Sequence, residues 1–193
     1  MGTSRSDRAR AEVLEAAADI VAEVGLERTT IEEIAARSGV AKTTIYRHWP
    51  SKQALMVDTV RGCFLPMATP NTGDLRADLI TCFDGMVRSG LSGRVGRMLP
   101  SLLDGAARDP ELDRLLRGYL VERAVPLRTV LQLGQSRGEL PDDLDLDFAV
   151  TLFIGPLLYR KMIEREFVTE PFVVAVVDGA LRALGATSLS ATS

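Results

Sequence analysis

The chain has 193 residues, of which 46% are apolar and 25% charged, with a formal net charge of -3. This is ordinary globular composition, rich enough in apolar residues for a sizeable core. The acidic balance excludes a protein that binds nucleic acid through overall charge, so any such affinity has to be local.

The opening segment, residues 1–10, is polar and has no apolar core, so no signal peptide is expected there. Val13, Leu14, Ala17, Ile20, Val21 and Val24 keep the i, i+3, i+4, i+7 spacing of one helix face. Gly25 then offers the left-handed residue that ends a helix. Thr30 and Glu33 are spaced as a capping box for a second helix with apolar positions Ile34 and Ala35, stopped by Gly39. A short third helix is expected over 42–48, broken by Pro50, and Ser51 can cap a fourth with Leu55 and Val60 inside. Residues 64–73, with Pro66, Pro70 and Gly73, form the clearest boundary in the chain. It separates an N-terminal domain, residues 1–60, from a second domain, 61–193.

Longer helices are expected beyond that boundary. One stripe is Leu75, Leu79, Phe83, Met86 and Val87; another is Val95, Met98, Leu99, Leu102 and Ala106. Asp109 and Pro110 supply a cap and a first-turn proline. The helix they open carries Leu112, Leu115, Leu116, Tyr119, Leu120, Leu127, Val130 and Leu131, is expected to kink at Pro126, and runs to Gly138. An acidic stretch over 139–147 reads as a loop and helix cap. It lacks the glycine and closing glutamate of a calcium-binding loop. An apolar helix over 148–165 contains Pro156, and the last helix is expected from about 169–171 to Gly185, with a frayed tail. The run from Val173 to Val177 would suit a strand, but no other segment offers a sheet to join. The expected fold is therefore all-α: a three-helix helix-turn-helix domain followed by a helical bundle.

Cys63 and Cys82 have neither metal nor disulfide spacing and read as buried free thiols. The longest apolar stretch, 148–159, is interrupted by Thr151, Gly155 and Pro156. It falls short of the roughly 18 residues that cross a bilayer, so a cytoplasmic location is expected.

Residues 27–55 carry the functional signal. Two short helices flank Ser38, Gly39 and Val40, the arrangement in which the first helix braces and the second enters the major groove. Residues 1–60 hold 8 basic and 9 acidic side chains, yet from Arg37 to Lys52 there are Arg37, Lys42, Arg47 and Lys52 and no acid. Two of the three lysines, the single histidine His48 and the single tryptophan Trp49 also fall there. A cationic window on an acidic chain suits phosphate. Taken alone, Trp49 reads as a core residue, Arg37 as a solvated helix residue, and Arg5, Arg8 and Arg10 as either a minor-groove arm or a disordered tail.

The string from Thr29 to Val40, the segment from Ala41 to Trp49 and the segment from Ser51 to Leu55 resemble the TetR family of one-component bacterial repressors. Gly138, Glu139 and Leu140, followed by the segment from Gly155 to Arg160, look similar to the family's variable regulatory domains. The resemblance implies that Lys42, Thr43 and Thr44 face base edges. It implies that Tyr46, His48 and Lys52 grip the phosphate backbone, and that Thr30 contacts a phosphate from the first helix. Threonine offers a hydroxyl and a methyl for mixed base readout, and tyrosine and histidine are suitable phosphate donors. Ala41 departs from the serine common at that position and removes a cap, and Trp49 replaces the commoner phenylalanine.

The expected function is a ligand-responsive repressor that binds a palindromic operator as a homodimer and is released by a small apolar effector. The alternative is a helical adaptor that keeps the motif without binding DNA. Dimerisation is expected through the last two helices, whose apolar surface exceeds the need of one bundle. Phe83, Met86, Met98, Leu102, Tyr119, Phe153 and Tyr159 are candidate linings of an effector pocket, and each alone reads equally as core. No cofactor, metal site or enzymatic constellation is expected. There is no phosphate loop, and the lone histidine is assigned to the DNA face.

Overall fold

The computed structural model describes residues 5–63, 67–89 and 94–186, with side chains described at all of these except 5, 85–89 and 94–95. The described residues form nine α-helices and no strand. These are α1 (Arg5–Val24), α2 (Ile31–Ser38), α3 (Lys42–His48), α4 (Lys52–Cys63), α5 (Leu75–Ser89), α6 (Arg94–Ala106), α7 (Pro110–Ser136), α8 (Leu146–Met162) and α9 (Glu170–Ala183). The chain divides into two compact units: residues 1–64 with 93–120, and residues 65–92 with 121–193. The long helix α7 contributes its first part to one unit and the rest to the other.

In the first unit α1 is the hub, packing on α2, α3, α4 and α6. Its apolar stripe supplies Val13, Ala17, Ile20 and Val21 to a core that also takes Ile34, Ile45, Trp49, Leu55, Met56 and Val60. Gly25, at φ +82°, ends α1 where a side chain would be strained. Ser101 of α6 then accepts the Leu26 amide at 2.6 Å. The α6–α7 turn and the start of α7 close the unit through polar contacts at the start of α4: Gln53 to Asp109, and the hydroxyl of Ser51, just ahead of α4, to Glu111 at 2.8 Å. The expected start of α7 holds, since the Asp109 carboxylate accepts the amides of Glu111 and Leu112 ahead of the first turn.

The second unit packs α9 against α5 and α8. Phe83 and Phe153 stack with centroids 6.1 Å apart, and Leu79, Leu127, Leu131 and Val177 are likewise buried in this unit. Asp78 is fully buried beneath the 67–74 connection. Its carboxylate accepts the Thr72 amide and hydroxyl and faces the Arg137 guanidinium at 3.4 Å, so the buried charge is compensated. Helix α7 continues across Pro126, and the valine run of α9 is helical. Helix α8 begins two residues earlier than its periodicity suggests, because the Asp145 side chain caps the amides of Asp147 and Phe148. Cys82 is buried, which pushes its thiol up to about 12, whereas Cys63 is only half-buried. Met86, Val87 and Val95 have side chains outside the described residues, as has most of the tail after Gly185.

Candidate nucleic-acid interface

Helices α2 and α3 are joined by a tight turn. Gly39 adopts φ +70°, and the Ser38 hydroxyl accepts the Val40 amide at 3.3 Å. Thr30 caps α2 by accepting the Glu33 amide at 3.2 Å, which leaves its hydroxyl proton to donate outward. Ala41 gives α3 no side-chain cap. Two inward residues one turn apart, Ile45 and Trp49, anchor α3 in the core, and the Trp49 indole N–H donates to Asp58 at 2.9 Å. The rest of the helix therefore faces out. Thr43 and Tyr46 are exposed, Tyr46 by 52%, and Thr44 and His48 are half-exposed at its flank. His48 Nε2 lies 3.4 Å from the Ser6 hydroxyl of α1.

The two lysines of this region are held. Lys42 pairs with Glu32 at 2.8 Å across the helix-turn-helix, which raises the lysine and lowers the carboxyl. Both are solvent-exposed, so the pair is weak. Lys52 is half-buried at the start of α4 and donates to the Leu26 carbonyl at 2.8 Å; burial lowers its pKa. Arg37 pairs with Glu23 at 2.8 Å, as a solvated helix residue would. Arg10 is neither arm nor loose tail. It lies within α1, bonds Asp58 and sits 5.9 Å from the Trp49 ring.

Of the residues considered for an effector pocket, Met98, Leu102 and Tyr119 belong to the core of the first unit, where Arg61 lies over the Tyr119 ring at 5.3 Å. Phe83 and Phe153 are buried in the second unit. Tyr159 is exposed on α8, and the Met86 side chain lies outside the described residues. Among the described residues no group of three His, Cys, Asp or Glu side chains is placed to hold a metal ion, and no helix is long and apolar enough to cross a membrane.

The chain matches known regulators. Residues 13–59 match the model of bacterial regulatory proteins of the tetR family, and residues 69–180 match the tetracyclin repressor-like C-terminal domain. The chain is 31% identical over 193 residues to the uncharacterised HTH-type transcriptional regulator YdeS of Bacillus subtilis, covering 97% of this chain and 95% of that one. It is 26% identical over 185 residues to the DNA-binding transcriptional repressor TetR of Mycobacteroides abscessus, covering 94% and 96%. The solved structure of the TetR family transcription regulator SCO0332 superposes with a TM-score of 0.69 at 33% identity, covering 90% of this chain and 97% of that one. Fold and site thus define a helix-turn-helix transcriptional regulator rather than an enzyme. The chain belongs to the TetR family.

Sequence reasoning counted Arg47 in the cationic window but gave it no contact of its own, and it is exposed on this face. The signal was available: once Ile45 and Trp49 are inward, helical spacing at roughly 100° per residue turns position 47 furthest from the core.

Proposed function

We propose that this protein is a repressor that binds a palindromic operator as a homodimer and is released by a small apolar effector. The observation that carries the reading is the outward face of α3, with Thr43 and Tyr46 exposed on a helix pinned from behind by Ile45 and Trp49. Lys42, Thr43 and Thr44 read base edges. Thr30, Tyr46, His48 and Lys52 hold phosphates, and Lys52 exchanges the Leu26 carbonyl for one on binding. The partner is a second copy of the chain, docked through α8 and α9. Exposed Phe148 and Tyr159 on α8 and Ile163 at its C-terminal cap support this. So do Gly155 and Gly179, beside which a Cβ would meet nothing within 4 Å. Half-sites then lie about one or more helical turns apart, ~34–36 Å each. The protein acts in the cytoplasm.

The effector reading rests on chain length, since a DNA reader needs about 60 residues and some 130 more follow. Phe83, Met86 and Phe153 of the second unit are the side chains offered for it, and Met98, Leu102 and Tyr119 are those offered in the first; Tyr159, exposed on α8, is left to the dimer face. Switching from 99% to 1% DNA-competent takes about 5.5 kcal/mol of differential binding. Burying about 200 Å² of apolar ligand surface gives roughly 5 kcal/mol gross, and two sites per dimer share the load. The test is a transcriptional reporter fused to the DNA upstream of the protein's own gene. Deleting the gene raises expression if the protein represses and lowers it if the protein activates. Titrating small apolar compounds into the protein–operator complex tests release. A compound that binds tightly without changing operator affinity refutes the coupling.

A further inference from the structure

Helix α3 does not face solvent alone. Ser6, Arg8 and Glu12 of α1 and Thr44 and Arg47 of α3 line a groove of about 460 Å³, with the Gly39–Val40 turn between them. Two arginines therefore line one concavity at the edge of the recognition helix. Both are exposed, and neither pairs with a described residue. Their neighbours are committed: Arg10 to Asp58, Arg37 to Glu23, Lys42 to Glu32 and Lys52 to the Leu26 carbonyl. Glu12 stands one turn from Arg8, the spacing at which helical ion pairs form, yet the two form none. The groove thus keeps two open cations, two hydroxyls and one carboxylate.

We propose that this groove seats a backbone phosphate of the operator, gripped jointly by Arg8 and Arg47, so that α1 is a third DNA-contacting helix. The proposal rests on the operator-binding reading above. Guanidinium groups present forked donors that match a phosphate, and the Ser6 and Thr44 hydroxyls can complete the set. Phosphate contacts of this kind fix register without reading sequence. The Ser6–His48 contact ties the start of α1 to the phosphate-facing flank of α3. Glu12 opposes the phosphate and limits the affinity of the seat.

The experiment measures fluorescence anisotropy of the full chain on two labelled duplexes, one from the DNA upstream of its own gene and one of shuffled sequence, from about 50 to 200 mM salt. Arg8→Ala and Arg47→Ala should each weaken binding to both duplexes. Each should flatten the slope of log affinity against log salt by about 0.9 for every phosphate charge that is no longer neutralised. Across that salt range the wild-type advantage then shrinks roughly 3.5-fold for each such charge. Arg8→Lys should keep the slope while losing part of the affinity, and Glu12→Gln should tighten both complexes. Because one phosphate is shared, the double alanine variant should lose less than the product of the single losses. Arg28→Ala removes an exposed cation outside the groove and is the control; circular dichroism confirms that all variants fold. If wild type binds and Arg8→Ala behaves like the control, the proposal fails while the operator reading stands. Fully multiplicative losses overturn the shared seat. If wild type binds neither duplex, both readings fail.

Discussion

Gly105 of α6 lies so close to Leu26 that a Cβ built on the glycine would stand 2.4 Å from Leu26 Cδ2 and 3.3 Å from Leu112 Cδ2. Leu26 is buried in the turn between α1 and α2, so this closeness lets α6 seat directly against α1 and α4. Gly105→Ala should therefore destabilise the chain, by the roughly 1–3 kcal/mol typical of overpacking. That holds even though alanine is the better helix former. Gly118 of α7 is exposed, with nothing within 4 Å of its Cβ position, so Gly118→Ala should stabilise by about 0.5–1 kcal/mol. Urea unfolding of the two variants checks the opposite signs; stabilisation by both would show that Leu26 yields without cost.

Acid should reach the second unit through Asp178. Its carboxyl is held below the usual range by the Arg76 guanidinium, which it meets at 2.6 Å across α5 and α9. Since the folded pKa lies below the unfolded value of about 3.9, the stabilisation is present in full above that value and is lost as pH falls through the folded one. The pair is partly exposed, so its contribution is under about 1 kcal/mol. Wild type should exceed Asp178→Asn in unfolding free energy by a constant margin from neutral pH to about pH 5. The margin should close below about pH 4. A margin that persists at pH 2 would assign the effect to packing.

Dimerisation has an accessible test on α8. Tyr159 and Ile163 are 56% and 65% exposed, so charging them costs the isolated chain little. The Tyr159→Glu, Ile163→Glu double variant should sediment as a monomer at micromolar concentration with unchanged helix content, while wild type sediments as a dimer. Operator affinity should fall with it. A monomeric wild type with intact DNA binding would end the homodimer account.

Much of this molecule was legible in its sequence, and the reasons are local. Gly25, the Thr30–Glu33 cap, Gly39, Pro50 and Asp109–Pro110 are punctuation that acts within a turn or two. They placed α1, α2, α3 and the start of α7. What stayed hidden depends on distant neighbours. Glu32 and Leu26 occupy Lys42 and Lys52, and nothing in the spacing of a lysine announces its partner. Arg10 reads as tail until Asp58 and Trp49 fold beneath it. The stripes of α6 and α7 look like bundle material, yet Met98, Leu102 and Tyr119 pack in the same core as Val13 and Ile34. Periodicity gives the buried face of a helix and not the element that buries it.

On the operator-binding reading, the outward face of α3 reads DNA sequence while its surroundings hold the backbone. The most direct measurement compares affinities for the duplex upstream of the protein's own gene and for a shuffled duplex, at fixed salt near 150 mM, for wild type, Thr43→Ala and Lys52→Ala. Wild type should prefer its own site by roughly 10³-fold or more. Thr43→Ala should erode that preference at particular base pairs, by about 1–3 kcal/mol where the threonine had met a base edge well. Lys52→Ala should weaken both complexes equally and, in a salt titration of the same pair, flatten the slope by about one. Equal affinity of wild type for the two duplexes, or a Lys52 variant that shifts sequence preference at an unchanged salt slope, would contradict the account.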